Sequence, residues 1–183
     1  MRKLVALGIL GLWIISCHQG QETELDTLRK KLQTLTKEKE TIMETAKRNK
    51  NSTLAFFKAL ENENVEALVN LFSEDAEHIN PYASGLFPEG AKGREDIRNY
   101  WASVFPNFDG MEFRIEAMYA MEDPNIVFVK YQGRIQLKNG AGYYENDYYS
   151  TFKFNAAGKI VEYVEIFNPI TAARGFGLLD KIK

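Results

Sequence analysis

Residues 56–81 read FFKALENENVEALVNLFSEDAEHINP. Counted from Thr53, apolar residues recur with the period of a helix until the polar segment Glu61–Asn64 interrupts them. This pattern predicts a helix, a kink and a second short helix, followed by a first strand that carries His78 and Asn80. The apolar positions are Leu54, Phe57, Leu60, Val65, Leu68, Val69 and Phe72.

The segment Gly93–Phe105 predicts a third helix, because its apolar residues return at helical spacing and Pro106 stops the pattern. From Met111 onward the period changes to two, which is typical of strands. Helices followed by an antiparallel meander predict an α+β domain whose curved sheet wraps the helices. The later predicted strands are Ile126–Leu137, Tyr143–Phe154 and Lys159–Phe167, joined by turns at Lys138–Gly140 and Asn155–Gly158.

The first residues are typical of a secretory signal. A basic start at Arg2 and Lys3 precedes the apolar run Leu4–Ile15, which is too short for a helix that spans a bilayer. Ile14-Ile15-Ser16-Cys17 resembles the lipobox of bacterial lipoproteins, so we expect a signal peptide over 1–16, lipidation of Cys17 and a place in the bacterial cell envelope. The alternative is a plain secretory signal in which Cys17 is incidental.

Residues 17–50 are predicted to form a charged helical tether. The stretch Gln21–Asn51 contains no Pro or Gly, and its leucines fall on heptad spacing. The stripe consists of Leu25, Leu28, Leu32, Leu35 and Ile42. Two interpretations remain open: a parallel coiled coil, or a single spacer helix whose stripe rests on its own domain. Asn51 and Ser52 are suitable N-caps, so we place the start of the domain, 51–183, there.

Composition excludes several classes of function. The 183 residues contain 23 Lys and Arg against 25 Asp and Glu, a formal net charge of -2 that gives no field for holding nucleic acid. Two histidines, His18 and His78, and the single Cys17 exclude Cys/His zinc sites, Cys-His catalysis and an intrachain disulfide. We therefore predict neither a metal nor a cofactor.

Residues 56–81 are similar to the opening of the ketosteroid isomerases, and FNAAGKIVEYVEIF at Phe154–Phe167 resembles their closing hairpin. The chain thus resembles the nuclear transport factor 2-like, or SnoaL-like, superfamily, which implies a cone-shaped fold. In those isomerases an aspartate abstracts the proton, while a tyrosine and a protonated aspartate stabilise the enolate. The matching positions in this chain hold Asn80, Phe56 and Ser150, so the resemblance implies the cavity and not that reaction.

The second half is closer to the phenazine-biosynthesis A/B proteins. The stretches EDPNIVFVKYQGRIQ, GYYENDYYSTFKF and EYVEIFNP resemble segments of these enzymes, which condense two aminoketone molecules. Their acid/base glutamate corresponds to Glu165, their helical histidine falls near Tyr100, and their late-strand histidine is Ser150. The resemblance implies a candidate acid/base residue, and it implies a homodimer formed through the outer face of the sheet.

Strand alternation gives an independent test of these positions. If Phe167 faces the cavity, Glu165 and Tyr163 face it too. A carboxyl group among aromatic side chains loses hydration and is suited to acid/base work. Two alternatives are an ion pair between Glu165 and Arg134, and a purely structural His78. The predicted site comprises Glu165 and His78 as catalytic residues, and Asn80, Tyr100, Tyr148, Ser150, Phe56 and Phe167 as ligand-binding residues.

Two functions follow from these features. The loss of three isomerase positions favours a membrane-anchored, dimeric pocket protein that binds an apolar small molecule or mediates assembly without catalysis. A buried Glu165 with His78 opposite favours a cofactor-independent isomerase, cyclase or hydratase. An enclosed void to which Glu165 is exposed would support the pocket, and bulky side chains that fill it would support assembly.

Overall fold

The computed structural model describes the backbone of residues 3–138 and 142–181 and the side chains of residues 22, 24–138 and 142–181. The predicted lipidation at Cys17 falls outside the described side chains, and the predicted turn Lys138–Gly140 lies mostly outside the described residues. The chain divides into two units, Met1–Met43 and Glu44–Lys183. All residues of the hydrophobic core lie in the second unit, so residues 44–183 carry the core that a domain needs to fold alone.

In the first unit, the described heptad residues face solvent. The side chains of Leu25, Leu28, Leu32, Leu35 and Ile42 are each between 52% and 66% exposed. Three threonines on this helix donate to carbonyls one turn earlier, so their hydroxyls need no partner from another element. Within the described part of the chain, no helix combines the length and hydropathy that a membrane span requires.

The long helix does not stop where the sequence suggested. Helix α1 spans Lys3–Glu61, so the predicted helix start at Asn51 and Ser52 is wrong. The hydroxyl of Thr53, which is buried, donates to the carbonyl of Asn49 within the helix at 2.9 Å. No Pro or Gly breaks the backbone hydrogen bonds at this point, and capping residues alone do not end a helix that neighbouring side chains keep buried.

The second unit contains the predicted kink, the third helix and the long strands, and the expected α+β cone is confirmed. The elements after α1 are α2 (Val65–Val69), β1 (Phe72–Ile79), β2 (Gly90–Lys92), α3 (Arg94–Val104), β3 (Phe108–Ala120), β4 (Ile126–Leu137), β5 (Tyr143–Phe154), β6 (Ile160–Phe167) and α4 (Pro169–Gly175). Short 3-10 turns occupy Phe105–Asn107 and Leu179–Lys181.

The six strands form one curved sheet in the order β2-β1-β6-β5-β4-β3. All neighbouring pairs are antiparallel except β1 and β6, which run parallel. This exception places His78 opposite Tyr163, two residues before Glu165. The order of the strands therefore brings residues from both ends of the domain to the middle of the sheet.

The core lies between the inner face of the sheet, the last turns of α1, and α3. Phe56 on α1 is fully buried and packs edge-on against Phe152 and Trp101, with ring centroids 5.0 and 6.4 Å apart. Such aromatic pairs stabilise beyond the apolar area that they bury. This packing closes one end of the cone and leaves the other end for a cavity.

Candidate functional site

A cavity of about 820 Å³ opens between α3, the inner face of the sheet and α4. This volume suits a small organic molecule, and a concave, largely apolar wall with a few polar groups is typical of ligand sites. The apolar part of its wall includes Leu60, Val104, Phe108, Met111, Phe113, Ile135, Leu137, Phe176 and Leu178. Its polar groups include Asn80, Tyr100, Tyr148 and Glu165.

Glu165 stands on β6, opposite Ser150 of β5. Its side chain is 13% exposed and lines the cavity together with Phe167. Tyr163, two residues earlier, points to the same face and is fully buried. The predicted alternation along β6 therefore places the carboxylate in the cavity wall.

One carboxylate oxygen of Glu165 is held by two phenols. Its Oε1 accepts hydrogen bonds from the hydroxyl of Tyr163 at 3.0 Å and the hydroxyl of Tyr131 at 3.3 Å. The Tyr131 hydroxyl lies 3.2 Å from the Oγ of Ser150, which leaves Ser150 as its donor when it donates to Glu165. These bonds fix the carboxylate and leave Oε2 for other partners.

Tyr131 is a site residue that the sequence pattern did not reveal. Only the register between β4 and β5 places it in the site: Tyr131 pairs with Tyr148, and the centroids of the two stacked rings are 4.9 Å apart. Gly133 makes room for this arrangement, since a Cβ there would stand 2.8 Å from the Tyr148 ring and 3.2 Å from that of Phe113. The glycine was visible in the sequence, but its packing role was not.

His78 lies behind Glu165. Its Nε2 is 3.7 Å from Glu165 Oε2, beyond hydrogen-bond distance, and its side chain is fully buried. Neither ring nitrogen has a hydrogen-bond partner among the described residues. The imidazole stacks on Trp101 and also contacts Tyr100 and Tyr163. It is held in place by ring packing, and one small shift would bring Nε2 into contact with the carboxylate.

Tyr100 presents a free hydroxyl hydrogen to the cavity. The amide nitrogen of Asn80 donates to the Tyr100 oxygen at 3.2 Å and to the carbonyl of Pro88 at 3.0 Å. Because this phenol accepts from Asn80, its own hydrogen remains available for an acceptor in the cavity. Burial, and then the charge of Glu165, raise the pKa of Tyr100, so the phenol stays protonated as a donor.

The remaining predicted residues have different places. Tyr148 lines the cavity and donates its hydroxyl to Tyr144 at 3.1 Å. Phe56 does not line the cavity; its place on α1 directs it into the aromatic core, where it is 0% exposed. Ser150 is also fully buried, and its hydroxyl lies 3.2 Å from that of Tyr131, one of the two phenols that hold Glu165.

The alternative ion pair between Glu165 and Arg134 does not form. Arg134 Nε lies 3.0 Å from Glu145 on the outer face of the sheet, and its guanidinium covers the ring of Tyr143 at 3.8 Å. Odd-numbered residues of β5 face outward, so the pairing follows from the strand register. Among the described residues, no lysine or arginine pairs with Glu165, and its Oε1 accepts hydrogen bonds from two phenols instead.

Alkaline pH is expected to destabilise residues 44–183 through these phenols. Burial, as the largest cause, raises the pKa of Tyr131, Tyr144, Tyr148 and Tyr163 above that of free tyrosine. As the pH rises, the phenols of the unfolded chain lose their protons before those of the folded chain. The free energy of unfolding therefore keeps its full value below about pH 10 and falls above it. Each such tyrosine removes up to about 1.4 kcal/mol per pH unit.

Urea unfolding between about pH 8 and 11 measures this decline, because that range brackets the ionisation of tyrosine in the unfolded chain. Tyr131→Phe should make the decline shallower, whereas Tyr119→Phe, at a side chain that is 59% exposed, should not change it. A free energy of unfolding that stays constant above about pH 10 would contradict the burial of these hydroxyls.

Comparison with known proteins places this geometry in a family. A family model described as a SnoaL-like domain matches residues 53–163, more than half of the chain. No curated protein matches the chain. Among solved structures, a phenazine biosynthesis-related protein from Pseudomonas aeruginosa superposes with a TM-score of 0.66 at 22% identity, over 76% of this chain and 91% of that one.

Two further structures share the fold and contain ligands. TerC, co-crystallised with polyporic acid, gives a TM-score of 0.61 at 17% identity, over 73% of this chain and 98% of that one. A protein with a ketosteroid isomerase-like fold from Catenulispora acidiphila, in complex with trimethylamine, gives a TM-score of 0.59 at 16% identity, over 69% of this chain and 92% of that one. These two structures share the fold, and the family match over residues 53–163 shows that the chain belongs to the SnoaL-like domain family.

Proposed function

We propose that this protein binds an apolar small molecule with a carbonyl group and catalyses a cofactor-independent proton transfer on it. The observation that carries the proposal is the Glu165 carboxylate, which lines an apolar cavity of about 820 Å³ while Tyr131 and Tyr163 hold one of its oxygens. A fixed carboxylate in a dry site is a suitable general base and acid. The open cavity favours this function over an assembly role in which bulky side chains fill the cone.

The geometry suggests a role for each polar group. The Tyr100 hydroxyl donates to the carbonyl oxygen of the ligand and stabilises the negative charge that develops there. Glu165 removes a proton from the carbon beside the carbonyl, which leaves an enolate, and returns the same proton to another carbon of the conjugated system, which moves the double bond and yields an isomerisation. His78 Nε2 stands 3.7 Å from the carboxylate, and a small shift of the ring would bring it within reach for proton exchange.

Similar proteins support a ligand in this cavity. TerC was crystallised with polyporic acid, and the Catenulispora protein was in complex with trimethylamine. Both ligands are small molecules. The identities of 17% and 16% support the fold alone, so the proposed reaction is argued from Glu165 of this chain.

Proton exchange tests this function without knowledge of the natural substrate. Residues 44–183 are incubated in deuterium oxide with a panel of apolar ketones and enones, and deuterium uptake beside the carbonyl is followed by mass spectrometry. We expect catalysed uptake for the ketones that raise the melting temperature of the protein. Binding without any catalysed uptake would instead support a carrier that holds its ligand unchanged.

We also propose that Cys17 is lipidated and anchors the protein to a membrane of the bacterial cell envelope. The supporting feature is the order of a basic start, a short apolar run and Ile14-Ile15-Ser16-Cys17. Several acyl chains on one cysteine give a stable anchor, because each buried CH₂ contributes about 0.8 kcal/mol. A lipid anchor would keep the cavity near the apolar compounds of a membrane.

The exposed leucine stripe supports a second proposal, that residues 22–43 form a parallel two-stranded coiled coil. One core position of the heptad is taken by Leu25, Leu32 and Lys39, and the other by Leu28, Leu35 and Ile42. Glu24 and Arg29 then fall on flanking positions that face each other across a parallel pair. Lys39 is a polar residue at a core position, and such a residue fixes the register of a coiled coil at a cost in stability.

Both proposals are tested on the full chain expressed in bacteria. We expect Cys17→Ser to move the protein from the membrane fraction to the soluble fraction and to abolish incorporation of labelled palmitate. Sedimentation of the detergent-extracted chain should give a dimer that Leu28→Glu and Leu35→Glu together weaken. Membrane association that survives Cys17→Ser would contradict the anchor, and an unchanged dimer would contradict the coiled coil.

A further inference from the structure

The cavity carries a second polar group far from Glu165. Arg174, at the end of α4, lines its rim, and the same rim includes Lys138 at the end of β4. Most of the wall is apolar, with Met111 and Ile135 among its residues, and the lining phenols of Tyr144 and Tyr148 are hydrogen-bonded to each other. The cavity is therefore largely apolar and has ionisable groups at Arg174 and at Glu165.

Strand register places the two ends apart. The ring of Tyr144 contacts the segment that follows Arg174, with the rings of Tyr144 and Phe176 5.0 Å apart. Tyr144 precedes Ser150, the partner of Glu165, by six residues on β5, roughly 20 Å at about 3.3 Å per residue. The distance between the charged ends of Arg174 and Glu165 is shorter than this backbone separation, because both side chains extend into the wall of the cavity.

The two rim cations differ in their partners. Lys138 Nζ lies 2.6 Å from Asp109, so a carboxylate of the chain already neutralises it. In the described part of the chain, Arg174 makes neither an ion pair nor a hydrogen bond through its guanidinium. A guanidinium offers paired donors that match a carboxylate, and hydrogen bonds between charged groups are the stronger kind.

From this arrangement we infer that the ligand is an elongated, apolar keto acid, with its carboxylate on Arg174 at the rim and its carbonyl group beside Tyr100 and Glu165. The inference rests on the proposed function, because it uses the same cavity and the same inner end. It adds the chemical class of the ligand and its direction in the cavity. A carboxylate inserted the other way round would meet the negative charge of Glu165, which excludes that orientation.

A matched pair of ligands tests the inference. The compounds 11-oxododecanoic acid and 2-dodecanone both carry a ketone one carbon from the end of a twelve-carbon chain, and only the first carries a carboxylate at the other end. We measure their binding to residues 44–183 by calorimetry. The acid should bind more tightly, and Arg174→Gln should weaken the acid by about 10-fold while the ketone keeps its affinity. Arg174→Lys should restore part of the affinity for the acid.

Arg114→Gln serves as the control, because Arg114 is an arginine on β3 that does not line the cavity and already contacts Glu116. It should leave the affinity for both compounds unchanged. Equal affinities for acid and ketone, or an acid affinity that Arg174→Gln does not change, would overturn the inference and leave the proposed function standing on ketone binding. Failure of both compounds to bind would count against both proposals.

Discussion

Replacement of Glu165 by Gln is expected to lower kcat/KM for ketone proton exchange by about 10²–10⁴-fold, the usual contribution of one positioned acid/base group. The amide oxygen of glutamine can still accept from Tyr131 and Tyr163, so the cavity keeps its shape. What it loses is the ability to take up and release a proton. Measurement of deuterium uptake by mass spectrometry gives the rate, and thermal unfolding checks that the variant is folded.

The control for this variant is Glu145→Gln, at a carboxylate on the outer face of β5 that contacts Arg134 at 3.0 Å. It changes the same chemical group outside the cavity and should leave the exchange rate within about twofold of the original, as independent surface sites do. An equal loss of exchange rate in both variants, or an unchanged rate in Glu165→Gln, would contradict the acid/base role of Glu165. A loss confined to Glu165→Gln assigns it the proton transfer.

Phe56→Ala is expected to have the largest effect on stability, a loss of about 3–5 kcal/mol in the free energy of unfolding. The ring is 0% exposed and contacts five aromatic neighbours, so its removal leaves a void that the packed core cannot fill. Since domains are commonly stable by only about 5–15 kcal/mol, this loss is a large share of the total. Urea unfolding of residues 44–183 measures it.

Leu54→Ala is the matched control on the same helix, because Leu54 is 48% exposed. It should cost about 1 kcal/mol or less, since half of the side chain never leaves water. The isomerase resemblance predicted Phe56 to be a ligand contact. If Phe56→Ala changes ligand affinity strongly while the free energy of unfolding stays the same, that prediction is right and the core role of Phe56 is wrong.

Periodicity in the sequence was sufficient for most of the fold. The strands Ile126–Leu137 and Tyr143–Phe154 have the predicted bounds, because long alternating segments rich in aromatic and β-branched residues have few other structures available. The strand Gly90–Lys92 was missed, since three residues are too few to show a period. The helix Pro169–Gly175 was also missed, although Asn168 followed by Pro169 is a typical helix start.

Alternation along β6 was enough to place Glu165 in the cavity wall, because side chains two residues apart share a face of a strand. Alternation could not identify Tyr131 as a site residue, because its contact with Glu165 depends on the register between β4, β5 and β6. Arg174 could not be identified either, because its helix is too short to show a helical period in the sequence. Register and short elements are set by tertiary packing, which a single sequence does not display.

The parallel pairing of β1 with β6 has a consequence for when the candidate site forms during synthesis. His78 enters the sheet from the first strand, and Glu165 comes from the last, so their approach requires a long chain closure. Contacts between residues far apart in sequence form late, because the entropy of closing the chain is lost before they contribute. A nascent chain that lacks β6 has no strand to join β1 to β5, and it holds neither Glu165 nor the approach of Glu165 to His78. The candidate site is therefore complete only after β6 has joined the sheet.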